Sequence, residues 1–492
     1  MGQLHDFHTQ RAPGSTFTFS IQGDSHPERV NTMFDSALYM KTLLAAASDH
    51  PDFYMTIGDD FSVDQIPTNS ISAALVAGRY TLQRPYLGLI GCSAPLFLVN
   101  GNHEQAAAYL LDGTSNNIAV WAQTARNRYY PEPAPDRFYS GNTNVVPFIG
   151  LLRNYYAWTW GDALFVTIDP YWGSTNCVDN NYWTGVKRTN MWDVTHGDAQ
   201  YQWLKATLEQ STARFKFVFA HHVLGTGRGG IEEAGLCEWG GMNQNNTWGF
   251  TFNRPTWSLP LHQLMATNHV TIFFQGHDHL FVRQQLDGVT YLTLPCPADP
   301  TYTFWNADAY TNSIYKTNDT GYVRITVSPE NVKVDYVRTF LPVDEGSGKT
   351  NGMVDYSFTL PSWAVDSVGD GVPDWWRALY FGGNGTTTNA TSCAAGDPDG
   401  DGFINISEYL AGTDPGKSGS CLAIKTFTIT PEGQALTWIG GSNTWQYLEY
   451  SPDLRSNQWI ALYTIAPSSG ITNIVIQPGV SNSLFYRINA RR

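Results

Sequence analysis

Histidine, aspartate and asparagine side chains recur in five short motifs, each after a hydrophobic run. The motifs are Gly23-Asp24-Ser25-His26, Gly58-Asp59, Gly101-Asn102-His103-Glu104, Ala220-His221-His222 and Gly276-His277-Asp278-His279. Imidazole, carboxylate and amide groups together are the ligand set of Zn, Mn, Fe or Co rather than of calcium alone. Residues i and i+2 of an extended segment point to the same side, so the paired residues of the first and last motifs can each converge on one ion. The motifs therefore predict a transition-metal site.

The hydrophobic runs before these motifs have the β-branched and aromatic composition of strands. They lie at 17–21, 53–57, 96–99, 163–168, 215–220, 271–274, 289–294, 322–327 and 332–337, and helical periodicity occurs at 33–47 and 199–208. This alternation predicts a layered α/β domain over roughly residues 15–340, with the motifs at the carboxyl ends of strands. The segments 61–95, 105–157 and 171–196 show little periodicity, so we expect long loops over the face that carries the motifs.

Composition excludes several classes of protein. The 492 residues include 29 basic and 43 acidic side chains, a net charge of −14, which disfavours nucleic acid or an anionic membrane surface as the main partner. With 42% hydrophobic and 15% charged residues, wholesale disorder is excluded. No run approaches the ~20 apolar residues of a membrane span. The first fifteen residues lack an export signal, a start that also fits a chain from which such a signal has been removed.

The order GD-x-H, GD, GNH[ED], a strand-ending histidine and GH-x-H resembles the calcineurin-like metallophosphoesterase superfamily, which includes purple acid phosphatases and many phosphodiesterases. The resemblance covers about residues 17–340. It implies an α/β, four-layer α/β/β/α sandwich with two transition-metal ions that hydrolyses a phosphate mono- or diester by attack of a metal-bridging hydroxide. Purple acid phosphatases carry a metal-binding tyrosine shortly after the second-motif aspartate. Here Asp59 is followed by Asp60-Phe61-Ser62, so we expect no purple colour.

The resemblance also implies a role for each motif residue. Asp24, His26 and His279 would hold one metal, Asn102, His221 and His277 the second, Asp59 would bridge them, and His103 would protonate the leaving oxygen or steady charge on the phosphoryl group. His221 is favoured over His222 because it directly follows the strand. His222, Asp60 and Asp278 would orient a ligand histidine or contact the substrate, although solvated turn carboxylates are an equal interpretation for the two aspartates. The arginines of the long insert, Arg126, Arg128 and Arg153, are candidate phosphate clamps, with a surface or core role favoured.

A second metal motif lies after residue 345, where the chain becomes polar and glycine-rich. Residues 397–408 match the twelve-residue calcium loop, with Asp397, Asp399, Asp401, Phe403, Asn405 and Glu408 as candidate calcium residues. An upstream copy beginning at Asp366 keeps part of the pattern, with Val368 at position 3 and Arg377 at position 12, and predicts a partial site or a turn.

The two Asp/Gly segments resemble the calcium-binding linkers of thrombospondin type 3 and dockerin-like repeats in secreted bacterial proteins. That resemblance implies export to the extracellular space or periplasm, and with it disulfides Cys393–Cys421 and Cys177–Cys237. We therefore expect a catalytic domain at 1–345, a calcium linker at 346–420 and an all-β sandwich module at 421–492, whose role would be contact with a surface or glycan, or stabilisation.

Two function classes remain open from the sequence. The first is a secreted phosphohydrolase for a small-molecule phosphate ester. The net charge weakly favours diesters, and nucleic acid is expected as a partner only if it is the substrate. The second is an extracellular binding protein in which the metals are structural. A third option keeps the enzyme but changes the ester to a sulfate or phosphonate. The intact His103 favours catalysis, because a structural metal site has no use for a proton donor.

Overall fold

The computed structural model describes residues 7–179, 190–224, 228–318, 320–363, 365–430, 433–441, 444–452, 459–465, 470–476 and 485–491. It divides into two compact units, residues 1–262 with 270–360 and residues 263–269 with 361–492. The strands are β1 Phe17–Gln22, β2 Phe53–Thr56, β3 Leu96–Leu98, β4 Ser140–Gly141, β5 Val145–Val146, β6 Gly150–Leu151, β7 Tyr156–Trp160, β8 Ala163–Thr167, β9 Phe215–Phe219, β10 Ile272–Gln275, β11 Phe281–Leu286, β12 Val289–Thr293, β13 Tyr315–Thr317, β14 Tyr322–Val327, β15 Asn331–Val337, β16 Val354–Pro361, β17 Ala423–Thr430, β18 Gly433–Gly440, β19 Trp445–Ser451, β20 Ile460–Ile465, β21 Gly470–Ile476 and β22 Phe485–Arg491. The helices are α1 Ser36–Ser48, α2 Ala73–Gly91, α3 Ile118–Tyr129, α4 Asp198–Gln210, α5 Cys237–Gly240, α6 Phe250–Asn253, α7 Leu261–Thr267, α8 Asp374–Phe381 and α9 Asn405–Ala411.

Two sheets packed face to face form the centre of the first unit. One has the strand order β16-β15-β14-β1-β2-β3 and the other β13-β11-β12-β10-β9-β8-β7-β4. Within them β1, β2 and β3 run parallel, as do β8, β9, β10 and β12. Alternate residues of β1, Phe17, Phe19 and Ile21, join one core with the alternating phenylalanines of β9. The shared core shows that the two sheets face each other.

Helices cover the outer faces of both sheets. Residues of α1, α2 and α3 pack with Tyr54 and Leu98, the outward-facing residues of β2 and β3. Helix α1 begins where Asp35 accepts a hydrogen bond from the Leu38 N–H at 2.9 Å, a side-chain cap for its first turn. Helix α4 lies beside β9, where the Lys216 ammonium donates to the Leu208 carbonyl at 2.9 Å. The α/β/β/α sandwich expected from the sequence is thus confirmed.

The expectation of long loops at 61–95 and 105–157 is wrong, because these segments contain α2 and α3. The buried face of α2 has a helical spacing, Val76, Tyr80, Gln83, Leu87 and Ile90, but one of its members is a glutamine. Gln83 donates to the Asp60 carbonyl at 3.1 Å, so this position serves the motif-bearing face instead of the apolar core. Residues 180–189 of the third segment lie outside the described residues.

The end of the first unit lies beyond the boundary expected at residue 345. Strand β16 adds to the outer edge of the first sheet next to β15, and the compact unit runs to Leu360. All six cysteines are among the described residues, and neither Cys177–Cys237 nor Cys393–Cys421 is joined by a disulfide. Across the described ranges, no helix is both long and apolar enough to span a membrane.

The second unit contains two short Asp/Gly loops, each leading into a short helix, and two small sheets. The sheets have the orders β17-β18-β21 and β20-β19-β22. Leu436 and Trp438 of the first sheet are buried together with Leu448 of the second, so the sheets share a core. The all-β module expected at the carboxyl-terminal end is therefore present.

Candidate metal centre

The five motifs meet at one edge of the two central sheets. They follow β1, β2, β3, β9 and β10, all members of the parallel sets, so the carboxyl ends of their strands point to the same side. The side chains that they bring together, all buried or nearly so, are Asp24, His26, Asp59, Asn102, His103, His221, His277 and His279. The structure thus gathers the metal candidates of the sequence analysis; their assignment as ligands stays a prediction.

Asp24, His26 and His279 form the first cluster. The Asp24 Oδ2 atom lies 3.0 Å from His279 Nε2, and His26 Nε2 lies 3.3 Å from the same nitrogen. Burial lowers the pKa of His26 to about 4, which keeps its imidazole neutral and able to donate a lone pair. Although burial alone would raise the pKa of Asp24, His221 and His279 hold it well below its usual range. A carboxylate and two imidazoles directed at each other suit a transition metal.

Asp59, Asn102, His221 and His277 form the second cluster. The Nε2 atom of His221 lies 3.1 Å from Asp59 Oδ2, 3.0 Å from Asn102 Oδ1 and 3.2 Å from His277 Nδ1. Asp59 also offers an oxygen within 4.8 Å of the ligand atoms of His26 and His103. Because His26 belongs to the first cluster, Asp59 lies between the two groups, the position a shared ligand requires.

The backbone around these side chains is strained and tightly packed. Four of them, His26, Asp59, His277 and His279, have φ between 44° and 67°, in the left-handed region that L-residues rarely adopt. Such conformations cost on the order of 1–3 kcal/mol each and concentrate at functional sites. A Cβ on Gly276 would clash with the Asp24 carboxylate. The glycine of this motif is therefore required for the close approach of two loops.

Groups behind the imidazoles determine which ring nitrogen faces the clusters. His221 Nδ1 lies 2.9 Å from the Ile57 carbonyl, which leaves Nε2 for the cluster. The Asp179 carboxylate lies 3.1 Å from His277 Nε2, so Nδ1 of that ring faces His221. Burial and the charge of Arg228 lower the pKa of His277, and Asp179 partly opposes them. Sequence reasoning missed Asp179, because nothing in its local sequence distinguishes it from a loop carboxylate.

His103 is held beside the clusters by two aspartates. Its Nδ1 lies 2.7 Å from Asp64 Oδ2, and its backbone N–H donates to Asp59 Oδ1 at 2.9 Å. Burial would lower the pKa of His103, but Asp59 and Asp64 outweigh it and the net pKa is raised. Arg29 Nη2 lies 3.1 Å from His103 Nε2, so that nitrogen and a guanidinium share one side of the site. Asp64 and Arg29 were not identified from the sequence.

The three residues expected to orient ligands or contact substrate have different surroundings. Asp60 accepts hydrogen bonds from Ser25 at 2.7 Å and Gln22 at 3.2 Å, and among the described residues it bonds no ligand histidine. Asp278 accepts from Tyr310 at 2.6 Å and from Arg228 at 2.9 Å. His222 lies close to Asp179 and His277, with its Nε2 atom 3.3 Å from the Tyr171 hydroxyl.

The arginines of the long insert do not reach the metal cluster by any contact that the structure shows. Arg126 is buried and donates to the Leu98 carbonyl at 2.9 Å, and Arg153 donates to the Glu132 carbonyl at 3.2 Å. Arg29 and Arg228 lie beside the motif histidines instead, since Arg228 donates to the His277 carbonyl. The folded loops, and not sequence proximity to aromatic residues, decide which guanidinium is near the site.

The second Asp/Gly loop brings three of the predicted calcium residues together. Asp397, Asp399 and Asp401 each place an oxygen within 4.8 Å of the others. Glu408 is fully buried, and its Oε2 atom accepts no hydrogen bond among the described residues. Burial, together with Asp399 and Asp401, raises the pKa of Glu408 to about 8.

Phe403 donates its N–H to Asp401 at 2.9 Å. The Asn405 amide donates to the Thr391 and Cys393 carbonyls at 2.8 and 2.7 Å. Four carboxylates in one loop are a donor set that fits calcium.

Comparison with known proteins supports the interpretation of the first unit. Residues 17–281, more than half of the chain, match the family model of the calcineurin-like phosphoesterases. No curated protein sequence matches. Similar solved structures include the purple acid phosphatase PPD1 from yellow lupin (Lupinus luteus) seeds, with 18% identity, 72% of this chain and 55% of that chain covered, and a TM-score of 0.41. PhoD is similar with 15% identity, 72% of each chain covered, and a TM-score of 0.48. A third similar structure is GAP50, the anchor in the inner membrane complex of Plasmodium, with 14% identity, 70% of this chain and 89% of that chain covered, and a TM-score of 0.39. The chain thus spans about half the length of the lupin enzyme. On the match of the family model, this chain belongs to the calcineurin-like phosphoesterases.

Proposed function

We propose that the chain hydrolyses a small-molecule phosphate ester at two transition-metal ions. One would be held by Asp24, His26 and His279 and the other by Asn102, His221 and His277, with Asp59 shared. The observation that carries this proposal is the position of Asp59, whose carboxylate lies near ligand atoms of both clusters. When bound, such a metal pair polarises the phosphoryl oxygens and supplies a nucleophile derived from water at neutral pH.

His103 would act on the leaving group. Asp64 accepts the Nδ1 proton, so the proton on Nε2 is the one available for transfer. Nε2 lies 3.7 Å from Asp59 Oδ2 and therefore on the side of the shared carboxylate. A proton given to the departing ester oxygen from this position lets the alcohol leave without developing a full negative charge.

Arg29 favours a monoester over a diester. Glu28 lies 3.4 Å from its Nε atom, while its Nη2 group faces His103 Nε2. A guanidinium there can bind a non-bridging phosphoryl oxygen, and a monoester dianion gains more from that contact than a diester monoanion. This local charge carries more weight than the net charge of the whole chain, which weakly favoured diesters.

Metal analysis joined to hydrolysis of p-nitrophenyl phosphate and bis(p-nitrophenyl) phosphate tests the proposal. We expect about two transition-metal ions per chain, turnover abolished by chelator, and loss of metal in His221→Ala but not in the exposed control His50→Ala. Arg29→Gln should lower kcat/KM for the monoester by about 10- to 100-fold, the loss of one charged hydrogen bond, and affect the diester less. Arg128→Gln, an exposed arginine, is the matched control. Equal losses on both esters would refute the monoester assignment.

Two alternatives remain distinguishable by the same assay. Two bound metals without turnover of either phosphate ester would favour a sulfate or phosphonate ester, or a binding protein with structural metals. The Asp64–His103 pair supports catalysis, since the carboxylate holds Nδ1 of the imidazole and leaves Nε2 on the side of the site that Asp59 and Arg29 share.

We further propose that the chain is exported and that residues 397–408 bind calcium. The buried Glu408, with an oxygen that accepts no hydrogen bond from the part of the chain that the structure describes, supports calcium, and millimolar calcium is an extracellular condition. Calcium should raise the melting temperature of the full chain, and Glu408→Gln should remove that increase. An equal increase in the variant would contradict the site.

A further inference from the structure

The two Asp/Gly loops, residues 366–377 and 397–408, share one backbone geometry. In the first, Asp366 accepts hydrogen bonds from the N–H groups of positions 4 and 6 at 2.8 and 2.7 Å. In the second, Asp397 accepts from the same positions at 2.9 and 3.0 Å. At position 5, Asp370 and Asp401 each accept from the N–H of position 7, at 3.1 and 2.9 Å. Both loops are therefore built as calcium loops.

The loops differ at position 12, where the first has Arg377 and the second Glu408. Arg377 is 1% exposed, and its Nη2 atom donates to Asp370 Oδ1 at 2.6 Å. Its other donors are also used, Nη1 by the Gly385 carbonyl at 2.9 Å and Nε by the Ser392 carbonyl at 3.1 Å. A buried guanidinium in this network carries a fixed positive charge against the carboxylate of position 5.

Hydrogen bonding to the carboxylates separates the loops further. In the first loop, Asp370 Oδ2 accepts from the Ala394 N–H at 2.9 Å, and Asp374 accepts from the Ser367 N–H and hydroxyl at 2.8 and 2.6 Å. Every carboxylate oxygen of that loop thus has a donor from the chain. In the second loop, one buried oxygen each of Asp399, Asp401 and Glu408 accepts no hydrogen bond among the described residues. Only the second loop needs an external cation.

We propose that Arg377 supplies, within the first loop, the positive charge that a calcium ion supplies in the second, so that the linker binds one calcium ion and not two. The first loop is then a calcium loop completed by its own side chain and holds its shape without metal. This inference rests on the proposed calcium function of residues 397–408.

Calorimetric titration of the full chain, loaded with its transition metals, with calcium chloride tests the stoichiometry. We expect one ion per chain in the wild type and none in Glu408→Gln, up to about 10 mM calcium, above the weakest class of calcium loop. Two ions in the wild type would overturn the role of Arg377 and leave the calcium proposal intact. One ion retained in Glu408→Gln would also overturn it, because that ion would lie outside the second loop. No ion in either protein would remove the calcium function itself, and the inference with it.

Conversion of position 12 provides the complementary variant. Arg377→Glu should bind a second calcium ion, whereas Arg377→Gln should still bind one, because glutamine removes the guanidinium without adding a carboxylate. A folded Arg377→Glu chain that binds a single ion would overturn the inference. If either variant fails to fold, the wild type and Glu408→Gln pair decides the question without it.

Discussion

Asp179 is expected to control the affinity of the second metal ion, although it is not itself in the ligand set. Its carboxylate lies 3.1 Å from His277 Nε2, and the Nδ1 atom of the same ring faces the second cluster. The contact selects the tautomer with the proton on Nε2 and fixes the plane of the ring. Without it, the imidazole can place its proton on either nitrogen and rotate, so fewer molecules present a lone pair to the metal.

The size of the effect follows from the contact. The His277 side chain is 6% exposed and that of Asp179 is 16% exposed, so water replaces the lost partner poorly. Loss of a hydrogen bond to a charged group costs about 1.5–3 kcal/mol. About 1.4–2.7 kcal/mol corresponds to a 10- to 100-fold rise in the dissociation constant, the range typical of carboxylates behind a metal-bound histidine. Asp179→Ala should show this effect, and Asp179→Asn a smaller one because an acceptor oxygen remains.

Metal content after dialysis against a series of metal buffers is the direct measurement, since it requires no turnover. We expect Asp179→Ala to release one ion per chain at a higher free-metal concentration than the wild type, while the other ion stays bound. Asp193→Asn, whose carboxylate accepts from Asn190 at 3.0 Å, is the control in the same region and should behave as wild type. Equal release curves for Asp179→Ala and wild type would refute the reasoning.

Three further predictions concern other residues. His103→Ala should lower kcat by about 10²–10⁴-fold with metal content unchanged. Adding Asp64→Asn to this variant should lower kcat little further, because the two residues act as one unit, and additive losses would contradict their coupling. Gly276→Ala should lower both the melting temperature and the metal content, because the added Cβ would meet the Asp24 carboxylate. Its control is Gly78→Ala, which lies in α2 with open space around it and should raise the free energy of unfolding by about 0.5–1 kcal/mol in chemical denaturation. Burial lowers the pKa of Lys216 to about 8, so the unfolded chain binds more protons than the folded chain between pH 8 and 10.5. The free energy of unfolding should therefore gain a positive contribution from this lysine as pH rises through that window. Lys216→Met should lose this contribution in thermal unfolding measured at a series of pH values, and an identical pH profile would contradict the prediction.

The gathering of the motif side chains was predictable because each motif follows its own strand. Gly-Asp-x-His after β1 and Gly-His-x-His after β10 are local patterns, since two candidate ligand side chains lie two residues apart in each. The extended backbone expected there is wrong, because His26, His277 and His279 adopt left-handed φ values. Parallel strands then bring their carboxyl ends to one edge without further information. The same locality allowed a calcium loop to be predicted at residues 397–408, because all of its candidate residues lie within twelve positions.

Helix α2 shows where pattern reasoning failed within the fold. Its buried stripe includes Gln83, which is polar because it donates to the Asp60 carbonyl beside the motifs. A residue that serves a tertiary hydrogen bond disrupts the apolar period from which helices are predicted.

The sequence by itself determined the types of the candidate ligands, their order along the chain and the strands that carry them, since these depend on neighbours in the chain. Only the tertiary structure decided that Asp64 holds His103, that Asp179 holds His277 and that Arg29, not Arg126, reaches the site. A hydrogen bond between residues far apart in the chain depends on how loops pack over the sheet edge, and a lone carboxylate or guanidinium has the same local sequence whether it faces solvent or a metal centre. The first Asp/Gly loop also depends on tertiary structure, because Arg377 can replace an external cation only when folding buries it against Asp370.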